Sequence, residues 1–431
     1  MEKLAYLSAQ INQIVWGEGV ILLLLGIGLY FFIRLYRCKV LRLKVIVKES
    51  GKLLFQKGNG LSALASLSTA LGATLGVGSV VGVASAIMSG GAGALFWMWV
   101  CALIGMGLKY AETVAAMKHR RRQKDGTFLG GAFYILEDHR LTFFGVLFAL
   151  FCIIASFGIG NVVPVTTIVE AMAPYVSKES MMIVLLLLLG ICLFFGAAFI
   201  LKLNTWLVPL FSIVYGLACV YLILLHREQI PQVFWLILQD AFQPQAQVGG
   251  IFAFFSAKAL HYGISRGVFS HEAGMGSAPL AHAGAAHAQI RAQGYLGVLE
   301  VFMDTMVFAT LSAFVCLLCV PDHQGSAITL FTAAFESGFG MIGVLLFRFA
   351  LVCFAFSSML GWIYYAFAAL RYLFPYTQSR MVYAILFLCV SVAGVFLQSD
   401  LLWEIADTCN ALMMLPNLFA IWLCRKEIIA V

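Results

Sequence analysis

Charged side chains are scarce in this sequence: only 11% of its 431 residues are Asp, Glu, Lys or Arg, against about 25% in ordinary soluble domains. Hydrophobic residues make up 62%, where soluble domains average about 45–50%. So few charged side chains cannot cover a protein surface that faces water. Much of the surface must therefore face lipid. This composition excludes a disordered chain, a nucleic-acid-binding module and an ordinary cytosolic enzyme.

The sequence also lacks the spacing of a disulfide framework or a zinc site. Its 11 cysteines are scattered, and the one close pair, Cys316 and Cys319, has no further ligands nearby, so we interpret them as small packing residues. Four histidines lie between His261 and His287 but form no HExxH motif. A metal enzyme built on these histidines is kept only as an alternative.

Long apolar runs dominate the chain instead. A membrane-spanning helix needs about 20 apolar residues, and enough segments meet this length to predict an all-α polytopic membrane protein with 11 transmembrane helices. The predicted spans are 14–33, 61–88, 92–117, 142–172, 180–201, 204–225, 249–268, 292–320, 339–372, 381–398 and 401–423. The first is expected to stay in the membrane, because a basic block follows it where a signal peptide would have a cleavage site.

Lysine and arginine predict the orientation. The stretch from Arg34 to Lys57 carries eight of them, and the stretch from Lys118 to Arg140 carries six. Because basic residues favour the cytoplasmic side, we expect the amino terminus outside, the carboxyl terminus in the cytoplasm, and the protein in the cell membrane. The net charge of +7 is then a topology signal and not a nucleic-acid patch.

Glycine-rich spans predict an internal repeat. Gly72, Gly76 and Gly78 interrupt the second span, and glycines also flank the seventh. Each of these spans heads a block of five, which predicts an inverted five-plus-five repeat behind one leading helix, with a binding site between broken helices. The predicted divisions are 1–58 (leading helix and basic linker), 59–228 (first repeat), 229–424 (second repeat) and 425–431 (cytoplasmic tail).

Several residues could carry chemistry at membrane depth. Glycines lower the free-energy cost of unwinding the helix near Leu75. Backbone groups without helical partners there suit an ion or a carboxylate. Close helix packing through GxxxG pairs explains the same glycine spacing. Ser357 and Ser358 offer hydroxyl oxygens to a hard cation, or they bond back to their own helix. Asp304 and Asp407 could be ion or proton ligands or serve as capping residues, and Lys109 is expected to neutralise Glu112.

One polar segment is predicted to be an ordered cytoplasmic loop. It runs from Arg266 to Ser277 and contains His271 and Glu272. Arg266 and Glu272 are expected to form an ion pair that holds this loop shut, a gating or structural role.

Four stretches together resemble the alanine/glycine:cation symporter family, a branch of the amino acid–polyamine–organocation transporters. They are Gly76–Ala84 running into Trp99, Arg266–Pro279, Phe302–Thr305, and Trp403–Leu418. The likeness follows the chain in order over nearly its whole length. The fold it implies is the inverted five-helix repeat with broken helices, known as LeuT-like.

The function that this resemblance implies is Na⁺-coupled symport of small neutral amino acids, chiefly alanine and glycine, by alternating access. No enzyme activity and no organic cofactor are expected, and the partners are Na⁺, the amino acid and membrane lipid, with the protein a monomer. The implied Na⁺ ligands are Gly72, Leu75, Phe354, Ser357 and Ser358. The implied substrate-binding residues are Gly76, Val77, Gly78, Ser79, Asn161, Phe252, Ala253 and Trp362.

The chain departs from the family pattern near the implied pocket. Val77 and Ser79 stand where threonine and asparagine are usual, and Phe255 stands where threonine is common. Most of these changes remove polar groups. They motivate an alternative, a family member that acts as a sensor or as a proton-coupled carrier of another small solute.

Overall fold

A computed structural model describes residues 18–55, 60–75, 77–242, 258–285, 289–320, 325–396 and 400–430. Side chains are described for all of these except 18, 43, 55, 60–62, 400–407 and 409. The described chain is almost entirely helical, and its one small sheet is a hairpin of β1 (Arg121–Arg122) and β2 (Phe128–Leu129), paired antiparallel. The all-α fold class is therefore confirmed.

The described residues up to 242 form eleven α-helices and two π-helical segments. They are α1 Glu18–Arg37, α2 Leu43–Phe55, α3 Gly60–Thr74, π1 Val77–Gly82, α4 Val83–Gly90, α5 Ala94–Lys118, α6 Ala132–Asp138, α7 Thr142–Phe157, π2 Gly158–Val162, α8 Val163–Met172, α9 Lys178–Phe195, α10 Ala197–Leu225 and α11 Ile230–Ala241. A short 3-10 turn, Arg227–Gln229, precedes α11.

The described residues from 258 onward contribute eight more helices and a third π-helical segment. They are α12 Lys258–His271, α13 Ala278–Ala283, α14 Ile290–Val301, π3 Phe302–Ala309, α15 Thr310–Cys319, α16 Ala327–Leu373, α17 Thr377–Phe396, α18 Asp400–Leu423 and α19 Arg425–Ala430. Helix α16 bends at Gly340, whose φ of 61° is left-handed. The predicted span that starts at 339 is therefore preceded by helix that begins at Ala327.

Nine described segments are long and apolar enough to cross a membrane. They are Gly19–Arg37, Ala63–Gly90, Ala94–Lys118, Thr142–Met172, Lys178–Phe195, Ala197–Leu225, Ile290–Cys319, Ala327–Leu373 and Thr377–Phe396. The count of 11 is not confirmed. Of the seventh predicted span, 249–257 lies outside the described residues and the rest lies in α12. The eleventh lies in α18, where the part of the chain described with side chains includes a shorter apolar stretch, Asn410–Leu423.

Exposed apolar side chains mark the surface that faces lipid. Phe194 at the end of α9 is 84% exposed, and Trp206 on α10 is 73% exposed. Such side chains belong in hydrocarbon, since exposed patches of this kind are rare on water-soluble monomers. The spans that hold the centre, α3 with π1, α5 and α14 with π3, bury most of their residues inside the protein.

Candidate functional site

The second span is interrupted at the point where the glycines predict it. Helix α3 ends at Thr74, π1 begins at Val77, and Gly76 between them lies outside the described residues. Both Gly72 and Gly78 also sit at close helix approaches. A methyl group on Gly72 would lie 3.4 Å from the carbonyl oxygen of Ser357, and one on Gly78 would lie 2.8 Å from Cα of Ser270. The packing explanation therefore applies to both glycines, and the change from α-helix to π-helix falls in the same stretch.

Helix α16 brings both serines of its Ser–Ser pair to the end of α3. The Ser357 hydroxyl lies 3.3 Å from the carbonyl oxygen of Gly72 and 2.8 Å from that of Phe354. The Ser358 hydroxyl donates to the carbonyl oxygen of Ala73 at 3.0 Å. The helices come this close because Gly361 has no side chain: a methyl group there would lie 2.8 Å from Cβ of Ala73.

These atoms form what we call the oxygen cluster: the carbonyls of Gly72 and Phe354 and the hydroxyls of Ser357 and Ser358. Ser357 has one proton but two carbonyl oxygens within reach, so oxygen lone pairs outnumber protons. The two serines are 0% and 3% exposed. Bonding back to the helix explains only the contact with Phe354, because the contacts with Gly72 and Ala73 cross between helices. Leu75, which follows the last residue of α3, is 1% exposed.

One polar residue beside this cluster is not among the site residues predicted from the sequence. Asn204 on α10 is 0% exposed, and a methyl group on Gly72 would lie 3.3 Å from its Nδ2. Neither amide atom of Asn204 has a hydrogen-bond partner. An unpaired buried amide costs about 1–3 kcal/mol, so this position calls for a polar ligand. The sequence signal was the asparagine itself, which is uncommon within an apolar span.

The predicted substrate residues do not all converge. Val77, Gly78 and Ser79 are buried in π1. The side-chain amide of Asn161 in π2 is hydrogen-bonded to α17. Its Nδ2 donates to the Phe387 carbonyl at 2.8 Å, and its Oδ1 accepts from the Ser391 hydroxyl at 2.9 Å. Both of its polar atoms are therefore engaged in the structure. Gly76, Phe252 and Ala253 lie outside the described residues.

Trp362 lies four residues after Ser358 on α16 and is completely buried. Its indole N–H has no partner. It packs directly on π2, where a methyl group on Gly160 would lie 2.3 Å from Cβ of Trp362. Trp362 therefore packs α16, the helix of the serine pair, against π2.

The predicted ion pair between Arg266 and Glu272 is wrong. Glu272 instead accepts a hydrogen bond from the Ser277 hydroxyl. The Nε of Arg266 is buried without a hydrogen-bond partner, and its guanidinium carbon lies 5.9 Å from the centre of the Phe269 ring. Part of the predicted loop is helical instead, because α12 continues to His271, and residues 267–277 are buried. The Asp407 side chain lies outside those described.

That turn is held by a cluster of buried charges. The Glu112 carboxylate accepts from the backbone N–H groups of Gly274 and Gly276, each at 3.2 Å, and from Nδ2 of Asn417 at 2.9 Å. Lys109 lies 3.6 Å from Glu112, as its spacing predicts. Its shorter contact, 3.2 Å, is with Glu300. Two of the sequence stretches behind the resemblance, 266–279 and 403–418, therefore meet at one carboxylate.

The histidines take separate structural roles. Nδ1 of His271 accepts from the backbone N–H of Ala273 at 3.0 Å. His282 lies between Gln293 at 2.7 Å and Glu300 at 3.3 Å. The described histidines of the segment 261–282 do not share a group of metal ligands.

Comparison with known proteins places the chain among transporters. The sodium:alanine symporter family matches residues 1–431. An uncharacterized transporter of Haemophilus influenzae is 37% identical over 97% of this chain and 93% of its own. The sodium/alanine symporter AgcS of Methanococcus maripaludis is 34% identical over 97% and 94%. A probable sodium/glutamine symporter, GlnT of Bacillus subtilis, is 32% identical over 97% and 87%.

A comparison with solved structures finds a protein of similar fold. The substrate-bound, outward-open form of a Na⁺-coupled sialic acid symporter covers 97% of this chain and 84% of its own, with a TM-score of 0.52 and 14% identity. The expectation of a multi-pass membrane transporter that is not an enzyme is confirmed, and the metal-enzyme alternative is wrong. The chain belongs to the sodium:alanine symporter family.

Proposed function

We propose that this protein is a Na⁺-coupled symporter of small neutral amino acids, alanine or glycine, that works by alternating access. The observation that carries the proposal is the oxygen cluster, which joins the end of a broken helix to two adjacent hydroxyls on α16. The names of the relatives in Methanococcus maripaludis and Bacillus subtilis support Na⁺ coupling and an amino-acid substrate.

The donor set fits a monovalent hard cation. Carbonyl and hydroxyl oxygens surround the position and no carboxylate belongs to it, whereas divalent Ca²⁺ sites use several carboxylates. Gly72, Leu75, Phe354, Ser357 and Ser358 would hold Na⁺, which would supply positive charge to the bare carbonyls at the break. The unpaired amide of Asn204 supports this assignment, because its oxygen could face the same ion.

The cation site and the substrate site share one element. The break that exposes carbonyls of α3 also frees backbone N–H groups at the start of π1, which suit a carboxylate. Gly76, Val77, Gly78 and Ser79 would bind the substrate carboxylate, while Trp362, Phe252 and Ala253 would limit the side chain. Na⁺ would fix the end of α3 and so orient these N–H groups, which couples the two ligands.

Uptake into liposomes tests this function. Purified protein should accumulate labelled alanine or glycine when Na⁺ is imposed inward, and not when K⁺, Li⁺ or a proton gradient replaces it. Ser358→Ala should lose most of this Na⁺ dependence. Ser337→Ala is the matched control, since Ser337 lies on the same helix but bonds only to the Ala334 carbonyl. Uptake indifferent to Na⁺, with Ser358→Ala equal to the control, would contradict the proposal.

One observation favours a second candidate, a carrier or sensor for another solute. Asn161 has both amide atoms engaged by α17, and Val77 supplies no polar group to π1. The polar groups available to a substrate are therefore fewer than the family pattern provides. A thermal-shift screen across amino acids, with and without Na⁺, separates the candidates, because a ligand of the folded state raises its stability by mass action.

A further inference from the structure

Three side chains of the kinds that bind metal ions converge where the carboxyl-terminal helix α19 meets the end of α5. His119 follows the last residue of α5, Cys424 joins α18 to α19, and Glu427 lies in the first turn of α19. One nitrogen, one sulfur and one oxygen atom from these side chains lie within 4.8 Å of one another. His119 and Cys424 are 305 positions apart in the chain, so no local sequence motif signals this group.

The distances around His119 match those of a tetrahedral metal site. Its Nε2 lies 3.4 Å from Sγ of Cys424 and 3.7 Å from Oε2 of Glu427. Zinc–sulfur bonds of about 2.3 Å and zinc–nitrogen or zinc–oxygen bonds of about 2.0–2.2 Å, at tetrahedral angles, place such ligand atoms about 3.3–3.6 Å apart. The histidine is therefore already spaced to share one ion with each of the other two ligands.

The orientation of His119 leaves Nε2 able to bind a metal. Its Nδ1 lies 2.7 Å from Oδ2 of Asp138, the last residue of α6, so the neutral ring carries its proton on Nδ1. Arg121 holds this carboxylate through a hydrogen bond of 2.8 Å to Oδ1. Carboxylates paired in this way with ligating histidines orient the ring and raise its basicity. Nε2 therefore presents a lone pair on the side where Cys424 and Glu427 lie.

Two features oppose binding, and a metal ion must overcome both. Burial raises the pKa of the Cys424 thiol to about 12, so the ion must displace the thiol proton, which leaves to solvent. Lys118 lies 2.7 Å from Oε2 of Glu427 and competes for that oxygen. Both side chains of this ion pair are partly exposed, so the pair is weak and the lysine can turn toward water.

We propose that His119, Cys424 and Glu427 form a binding site for a divalent transition-metal ion of the zinc type. Nitrogen, thiolate and carboxylate ligands suit Zn²⁺, whereas Mg²⁺ and Ca²⁺ prefer oxygen ligands alone. Solvent takes the fourth tetrahedral position. The bound ion joins α19 to the ends of α5 and α6 and so fixes the carboxyl-terminal helix to the rest of the protein. The site is independent of the proposed function.

The test is metal binding to purified full-length protein in detergent, without a histidine tag. Co²⁺ is the spectroscopic probe, because a thiolate bound to it gives a charge-transfer band that histidine and carboxylate ligands do not give, and Zn²⁺ is the tighter competitor. Cys424→Ser removes the thiol and nearly keeps its shape. Cys38→Ser is the matched control, because Cys38 is exposed and is not one of the three ligands.

The expected results separate ligands from a positioning residue. Wild type and Cys38→Ser should each bind one Co²⁺ per chain with a thiolate band, which Zn²⁺ abolishes and Mg²⁺ does not. Cys424→Ser should lose the band. Asp138→Asn should keep the band but bind Zn²⁺ about 10–100-fold more weakly, as is typical when the partner of a ligating histidine is removed. A general loss of structure would remove the band as well.

Two results overturn the site. A wild-type protein without a thiolate band refutes it, and this result stands even if Cys424→Ser does not fold. A band that persists in Cys424→Ser and disappears in Cys38→Ser places the metal on the exposed cysteine instead. In either case the contacts among His119, Cys424 and Glu427 hold α19 in place as hydrogen bonds and ion pairs, without a metal.

Discussion

Replacing Glu112 with alanine should destabilise the protein severely, because one carboxylate oxygen there receives three N–H donors. Those donors are the backbone groups of Gly274 and Gly276 and the side-chain amide of Asn417. Each hydrogen bond to a charged group contributes about 1.5–3 kcal/mol. Removing the carboxylate also leaves Lys109 with Glu300 as its remaining ion-pair partner.

The expected loss is smaller than the sum of these terms, since coupled interactions are not additive. Breaking a buried ion pair by removing one partner typically costs about 3–5 kcal/mol, and we expect Glu112→Ala to fall in this range. The control is Glu49→Ala. Glu49 also contacts a lysine three residues away, Lys52 at 2.9 Å, but both side chains are partly exposed, so its loss should change stability by less than about 1 kcal/mol.

The assay is the fraction of monodisperse protein that survives heating in detergent, measured by size-exclusion chromatography for wild type and both variants. Glu112→Ala should lose its monodisperse peak at a temperature well below wild type, while Glu49→Ala should follow wild type. Equal melting of the two variants would refute the reasoning that the buried carboxylate organises the turn after α12.

Three further outcomes are expected. Gly361→Val should abolish Na⁺-dependent uptake, because any side chain there meets Ala73; uptake equal to wild type would contradict the close approach of α3 and α16. Hydrogen bonds from Arg371 hold the pKa of Asp125 well below its ordinary value, so this contact should persist above the ordinary carboxylate range and be lost as pH falls through the depressed pKa. Asp125→Asn at neutral pH should therefore speed hydrogen exchange in the β1–β2 hairpin, and unchanged exchange would contradict a stabilising role for the Arg371–Asp125 contact. Cys38, which is exposed, should react with a membrane-impermeant maleimide only in inside-out vesicles; labelling in intact cells would reverse the predicted orientation.

The sequence predicts the membrane character and the helix break for reasons that are local. Scarce charge and long apolar runs follow directly from the solvent that the protein must face. Glycine lowers the cost of leaving the helix wherever it stands, so Gly72, Gly76 and Gly78 mark the break without any knowledge of the rest of the fold. Lys109 and Glu112 are one helical turn apart, so their contact was predictable in the same way.

The sequence could not predict contacts that depend on how distant helices meet. Glu272 bonds to Ser277 because the chain turns sharply after α12, where Glu272 itself has a φ of 50°, and this turn carries it away from Arg266. Asn417 reaches Glu112 across 305 positions of the chain. The unpaired amide of Asn204 and the unpaired Oδ1 of Asp304 are likewise visible only once their neighbours are in place, because a lone polar residue in a span gives no information about its partners.

The internal repeat remains a prediction, as do the divisions at 58, 228 and 424. The second repeat would begin at 229 with a broken helix, and residues 243–257, where that break is expected, lie outside the described residues. The monomeric state and the cytoplasmic position of the carboxyl terminus are predictions of the same kind.

Na⁺-dependent stability of the purified protein tests the central claim most directly, because it needs no substrate and no vesicle. Na⁺ at about 100 times its dissociation constant should stabilise the folded protein by about 2.7 kcal/mol, with no effect from K⁺ at equal ionic strength. The double variant Ser357→Ala, Ser358→Ala should lose this stabilisation and keep its melting temperature in K⁺. If the double variant is stabilised by Na⁺ as strongly as wild type, the oxygen cluster is not the Na⁺ site.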